Sequence, residues 1–131
     1  MSRQQKIYLT TSICVVLTGL ILSTFYRPYV YANQISDFGL ADTIGSLVSV
    51  VGFCFFVWTF KNYTDSQKNK QIIIVTIVYG FVWELFGLIG IHGTFDWKDI
   101  VGAVISGIFT FLIKELIKRL TTRQELVTSK K

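Results

Sequence analysis

Residues 72–91 read IIIVTIVYGFVWELFGLIGI, and this stretch decides the fold. It contains twenty residues with a single charged side chain, that of Glu84. An α-helix rises ~1.5 Å per residue, so about 20 apolar residues cross a hydrocarbon core of ~30 Å. The stretch therefore predicts a transmembrane helix that carries a carboxylate.

Three further apolar runs have a similar length and cover residues 7–25, 44–60 and 100–117. None shows the strict apolar–polar alternation of a barrel strand. We predict an all-α integral membrane protein, a single four-helix transmembrane bundle over residues 1–131 with a basic tail at 118–131. The first run is longer than the ~7–15 apolar residues of a signal peptide, and no small-residue cleavage site follows it, so we expect it to be retained.

The composition excludes several classes of protein. Hydrophobic residues make up 51% of the chain, charged residues 16%, and the mean hydropathy is +0.51. Water-soluble domains carry about 25% charged residues, so a soluble enzyme or a disordered chain is disfavoured. Cys14 and Cys54 both lie in apolar runs and there is one histidine, which predicts neither a disulfide framework nor a metal site. No cofactor and no nucleic-acid partner is predicted, and no catalytic motif supports an enzyme.

The basic residues predict the orientation in the membrane. Eleven of the thirteen Lys and Arg residues fall at the termini or around 61–70, and only Arg27 and Lys98 fall on the opposite side. Lys and Arg are enriched on the cytoplasmic side. We therefore predict that both termini are cytoplasmic in a multi-pass protein of the cell membrane, of the bacterial plasma membrane type. Contact with anionic membrane lipids is expected for the basic tail.

An internal similarity appears when the chain is shifted by 57 residues, with the shared pattern F-x3-D-x2-G-x3-S-x11-K. The aligned residues are Phe38, Asp42, Gly45, Ser49 and Lys61 with Phe95, Asp99, Gly102, Ser106 and Lys118. Two parallel helix-hairpin repeats are one explanation. Convergent chemistry of helix ends is the other, because aspartate caps helices and small residues let helices pack.

Small and polar residues recur at helical spacing on each predicted span. We expect Gly45 and Gly102 to lie where helices approach closely, since glycine permits that approach. Val50 and Phe109 are expected to face lipid.

Glu84 is the strongest candidate for a functional side chain. A charge deep in the bilayer costs at least ~2.5–3.5 kcal/mol and is rarely kept without a purpose or a partner. The sequence places it ~12 Å below the outer end of its helix, by the helical rise. It is interpreted as a ligand, ion or proton site, or alternatively as the partner of Arg27 in a structural ion pair.

Four other residues complete the candidate ligand-binding set, namely Arg27, Asp42, Asp96 and Asp99. Asp96 and Asp99 are three residues apart, so they lie on one side of the first turn of the fourth helix. Such carboxylates bind a cation, accept hydrogen bonds from sugar hydroxyls or serve as helix caps, and the sequence leaves these roles open.

Two segments resemble the VanZ-like family of small membrane proteins. Glu84 is followed by TFDWKDIV at 94–101, similar to a short F-D-x-x-D loop motif, and GSLVSVVGF at 45–53 is similar to a G-x-L-P-S-F-L-H-V segment. The resemblance covers residues 36–110, with Val48, Gly52, Gly93, Ala103 and Ser106 departing from the pattern. It implies a four- or five-helix bundle, an outward-facing acidic cleft with Glu84, Asp96 and Asp99, and a role at the cell envelope. For some members that role is resistance to glycopeptide antibiotics.

Three functions are compatible with these observations. The first is a VanZ-like envelope protein that binds a lipid-linked or amphipathic ligand in the acidic cleft. The second is a small proton-coupled multidrug-type transporter that uses the membrane glutamate. The third is a holin-like or structural interaction protein, and a homo-oligomer is compatible with each.

Overall fold

The computed structural model describes residues 1–61, 65–90 and 95–128, with side chains described up to 123. Predictions that concern Gly93, Thr94 and residues 129–131 lie outside these ranges. The elements are α1 (Arg3–Ile21), a π-helical turn (Leu22–Tyr26), α2 (Arg27–Ala32), α3 (Leu40–Phe60), α4 (Ser66–Leu88) and α5 (Trp97–Thr128). Four helices are long and apolar enough to cross a membrane, namely Arg3–Ala32 (counted through the π turn), Leu40–Phe60, Ser66–Leu88 and Trp97–Arg123. For the described residues, the prediction of an all-helical protein with four helices long and apolar enough to span a membrane is confirmed.

Polar caps extend the helices beyond the apolar runs. The Ser2 hydroxyl accepts a hydrogen bond from the Gln5 amide at 3.2 Å, and the Gln5 side chain accepts one from the Ser2 amide at 2.7 Å. This capping box starts α1 at Arg3, before the predicted residue 7. The α5 helix continues to Thr128, well past the predicted end at 117.

A π turn interrupts the first span at Leu22–Tyr26. The Arg27 amide donates to the Leu22 carbonyl five residues back, which widens the helix locally. Pro28 follows immediately, and a proline both lacks an amide hydrogen and crowds the carbonyl four residues before it. The turn changes the helical register, and Ser23 and Arg27 both face the cavity described below.

The spans alternate in direction, and α3 and α5 form the central pair. The α1 helix packs on α3, whereas α4 packs mainly on α5 and much less on α3. Hydroxyls join α3 to both neighbours, since Ser12 on α1 donates to the Gly52 carbonyl at 2.8 Å and Ser106 on α5 donates to the Leu47 carbonyl at 2.5 Å. We call the end of the bundle that carries Asp42, Glu84 and Asp99 the acidic end, and the opposite end the basic end.

The predicted helix faces hold only in part. A Cβ atom on Gly102 would lie 3.4 Å from Thr43 Cβ, so helices do approach there, but a Cβ on Gly45 would meet nothing within 4 Å. The prediction of close packing at Gly45 is wrong because that face of α3 borders a cavity. The prediction that Val50 faces lipid is also wrong, since Val50 is 2% exposed and belongs to the core. Phe109 is exposed as expected.

Candidate ligand-binding site

A cavity of about 750 Å³ opens at the acidic end between α3, α4 and α5. Four of the five predicted site residues line it, and they are Arg27, Asp42, Glu84 and Asp99. Three carboxylates against one guanidinium leave a formal charge of −2 in the cavity (−3 + 1). The cavity therefore favours a cation, because low-dielectric walls concentrate the field of such groups.

Arg27 and Asp42 form the best-connected part of the site. The guanidinium Nη2 lies 3.8 Å from Asp42 Oδ1, and its Nε donates to the Tyr31 hydroxyl at 3.2 Å. The Tyr31 hydroxyl in turn donates to Asp42 Oδ1. Tyr31 was not predicted as part of the site. The (i, i+4) spacing of Arg27 and Tyr31 on one helix face is the signal that was available in the sequence.

Asp99 is oriented by a contact between the two central helices. Its Oδ1 accepts a hydrogen bond of 2.7 Å from Ser46 on α3. The residue also borders the cavity. Asp99 therefore both joins α3 to α5 and presents negative charge to a ligand.

Glu84 lies closer to the acidic end than predicted. The α4 helix ends at Leu88, so Glu84 is about one turn, ~6 Å, from its end. Its Oε2 accepts a hydrogen bond of 3.2 Å from the Asp96 amide, which places the carboxylate beside the first turn of α5. The alternative in which Arg27 pairs with Glu84 is not what the described residues show, because the ion pair of Arg27 is with Asp42.

Asp96 lies at the start of α5 and is not among the residues that line the cavity. Its Oδ1 accepts a hydrogen bond of 2.9 Å from the Lys98 amide. This contact caps the start of α5, which is the helix-capping role that the sequence had left open. Asp96 reaches the site only through its backbone, which donates to Glu84.

Asp37 anchors the start of α3, a role that the sequence analysis missed. Its carboxylate accepts hydrogen bonds from the Ala41 amide at 2.7 Å, the Gly39 amide at 3.1 Å and the Tyr26 hydroxyl at 3.3 Å. Desolvation acts to raise the pKa of Asp37, but these hydrogen bonds outweigh it and hold the pKa below its ordinary value. The aspartate just before the helix start was the available signal.

The rest of the cavity is mainly apolar. Its wall away from the carboxylates includes Phe53, Val75 and Tyr79. Gly45 and Gly80 also line it, and a Cβ atom at either position would meet nothing within 4 Å. The site thus combines a charged rim with an apolar interior, which is the pattern that binds an amphipathic molecule. No group of three His, Cys, Asp or Glu residues within the described ranges is arranged to hold a metal ion.

A second polar cluster lies at the basic end and was also missed. Lys114, one of the eleven basic residues predicted on the cytoplasmic side, is only 2% exposed. Its Nζ donates to Asn69 Oδ1 at 2.6 Å and lies 3.8 Å from the ring centroid of Trp58 and 5.2 Å from that of Tyr8. Tyr8, Trp58 and Asn69 belong to α1, α3 and α4, so one ammonium contacts all three other spans. No sequence signal marks this contact, because a lysine near the end of an apolar run normally extends to water.

Comparison of the chain with models of protein families, with curated proteins and with solved structures gives no match.

Proposed function

We propose that this protein is a cell-envelope membrane protein that binds an amphipathic ligand with a cationic head group in the cavity at the acidic end. The observation that carries the proposal is the distribution of charge in that cavity. Asp42, Glu84 and Asp99 supply negative charge at one side, and Phe53 and Tyr79 supply an apolar wall beyond them. An ammonium group would exchange water for charge-assisted hydrogen bonds with the carboxylates, while its apolar tail would leave water altogether.

The proposal agrees with what the VanZ-like resemblance implies, an outward-facing acidic cleft with Glu84 and Asp99. Membership of that family, and with it a contribution to glycopeptide resistance, stays a prediction. The transporter hypothesis would use the same carboxylates, with Glu84 exchanging a proton for the cation. We favour binding as the simpler proposal, because it requires only the one arrangement described above.

The orientation is part of the proposal. With both termini and the 61–70 loop in the cytoplasm, the acidic end would face outward and the cavity would be reached from outside the cell. In a Cys14→Ser/Cys54→Ser background, Asn33→Cys should react with an impermeant thiol reagent in intact cells, while Ser66→Cys should not. Labelling of Ser66→Cys alone would reverse the orientation.

Ligand binding can be tested with small water-soluble amphiphiles. Hexylammonium, hexanol and hexanoate share a chain and differ in charge, and each can be titrated calorimetrically into the protein in nonionic micelles. We expect hexylammonium to bind at least about tenfold more tightly than hexanol, equivalent to ~1.4 kcal/mol, and hexanoate to bind most weakly.

Gly45→Leu supplies the matched variant for this titration, because its side chain would fill the cavity without meeting a neighbour at Cβ. Binding of hexylammonium should be lost in Gly45→Leu and kept in Phe109→Leu, a change on an exposed surface away from the cavity. Equal binding of the three probes, or unchanged binding in Gly45→Leu, would contradict the proposed function.

A further inference from the structure

The acidic cavity is open toward the side of the bundle as well as at its end. Val75 and Tyr79 line the cavity, yet they are 66% and 67% exposed. Both lie on α4, the helix that packs on α5 and makes few contacts with α3. The gap between α3 and α4 therefore connects the cavity with the surface that the acyl chains of a bilayer would cover.

A second cavity continues this gap toward the basic end. It measures about 450 Å³ and shares Phe53, Val75 and Thr76 with the acidic cavity. Val57 and Ile72 add apolar surface to it. The two cavities together form one groove, which we call the α3–α4 groove, that starts at three carboxylates, is mainly apolar along its middle and reaches Lys68 and Gln71 toward the basic end.

The part of the α3–α4 groove between Glu84 and Val75 matches one leaflet of a membrane in length. Glu84 and Val75 are nine residues apart on α4, which corresponds to ~14 Å along the helix. One leaflet contributes half of a hydrocarbon core of ~30 Å. A lipid whose head group lies beside Glu84 would thus have its chain at Val75, where the second cavity begins.

From this continuity of charge and shape we propose that the ligand is a membrane phospholipid with an ammonium-bearing head group, which enters between α3 and α4 from the leaflet at the acidic end. The ammonium contacts Glu84 and Asp99, the phosphate contacts Arg27, and one acyl chain lies in the α3–α4 groove along Val75. This inference rests on the proposed function and adds the class of ligand and its route. A zwitterionic head group suits the cavity because both signs of charge are present in it.

The test uses the full chain in nanodiscs at one copy per disc. The discs contain phosphatidylglycerol and a trace of phosphatidylethanolamine with a diazirine near the end of one acyl chain. Illumination and peptide mapping should place the label on residues 53–57 and 72–76. The same diazirine chain on phosphatidylglycerol should label these residues at least about fivefold less, since its head group lacks the ammonium that the carboxylates attract.

Variants distinguish labelling by a lipid bound in the α3–α4 groove from labelling by the lipids that surround the whole protein. Val75→Trp fills the groove and should reduce labelling of residues 53–57 several-fold, while Val78→Trp, on an exposed surface outside both cavities, should leave it unchanged. Gly80→Leu offers a second block within the acidic cavity. Unfolding temperatures of all three variants identify any that fail to fold.

Each contrary result has its own meaning. Equal labelling by lipids with the two head groups, or labelling unaffected by both blocking variants, would reject the phospholipid as the ligand. The proposed function would then still stand if hexylammonium binds. If residues 53–57 and 72–76 lose the label when two copies share a disc, the α3–α4 groove binds a second copy of the chain. This result would also reject the phospholipid as the ligand. Failure of hexylammonium to bind, together with equal labelling by the two head groups, would reject both the proposed function and the lipid ligand.

Discussion

The two ends of the bundle use charge in opposite ways. At the acidic end, Asp42, Glu84 and Asp99 surround an open cavity, and each carboxylate has a hydrogen-bond partner among the described residues. At the basic end, Lys114 is only 2% exposed and is enclosed by aromatic rings and an amide. The difference teaches that charge within these spans does not by itself indicate a binding site. A site also needs unfilled volume next to the charge.

This comparison predicts unequal sensitivity to mutation. At the basic end the four spans share one contact, so a change there should affect stability. At the acidic end the cavity already lacks packing, so a change there should affect binding.

Asn69→Leu should give the largest effect because it removes the acceptor of the buried Lys114 ammonium. We expect a loss of about 3 kcal/mol in the free energy of unfolding, since an unsatisfied buried group is costly and a charged one more so. Thermal unfolding in detergent measures this. The double variant Asn69→Leu/Lys114→Met should recover most of the loss, because it removes both partners together. Wild-type stability of Asn69→Leu would mean that the contact is not a determinant of the fold.

Gly107 and Gly80 provide a matched pair of glycines, one in a packed interface and one at the cavity. A Cβ on Gly107 would lie 2.5 Å from Ile77 Cδ1, whereas one on Gly80 would meet nothing within 4 Å. Gly107→Leu should therefore lower stability by ~1–3 kcal/mol through overpacking. Gly80→Leu should keep the unfolding temperature and weaken hexylammonium binding. Equal stability losses in both variants would contradict the assignment of open space at Gly80.

Glu84→Gln tests the role of charge at the acidic end, because it removes the charge and keeps nearly the same side-chain shape. Glutamine can still accept the hydrogen bond from the Asp96 amide, so the unfolding temperature should stay near that of the wild type. Hexylammonium affinity should fall about tenfold, or ~1.4 kcal/mol. Asp99→Asn should show a similar but smaller loss of hexylammonium affinity, because part of the role of Asp99 is its hydrogen bond with Ser46, which joins α3 to α5. Full affinity in both variants would leave these carboxylates a purely structural role.

Asp37 should give the smallest effect, visible only in acid. Its folded pKa is lowered below the ordinary value of 3.8, so its contribution to stability is present above that value and is lost as the pH falls through the folded pKa. Asp37→Asn should flatten the decline of the unfolding temperature between about pH 5 and pH 2. The change should be modest because solvent still screens this partly exposed carboxylate. Identical acid profiles for the wild type and Asp37→Asn would contradict the assignment.

The helices were predictable because their signals are local. Apolar length alone predicted four long apolar helices, although the caps at Ser2 and Asp65 start α1 and α4 before the apolar runs begin. The candidate site was also largely predictable, since Arg27, Asp42, Glu84 and Asp99 do line one cavity. Charges near the ends of spans that share one side of a bundle are forced into proximity by the topology.

The tertiary structure alone decided which side chains face space and which face neighbours. Gly45 and Gly107 are the same residue type on apolar helices, yet one borders a cavity and the other touches Ile77. Lys114 reads in the sequence as a solvated residue, and its burial depends on Tyr8, Trp58 and Asn69 from three other spans. The sequence determined where the apolar helices lie along the chain and which charges they carry, because both follow from neighbours along the chain. Packing between helices far apart in sequence determined where the bundle is filled and where it is open.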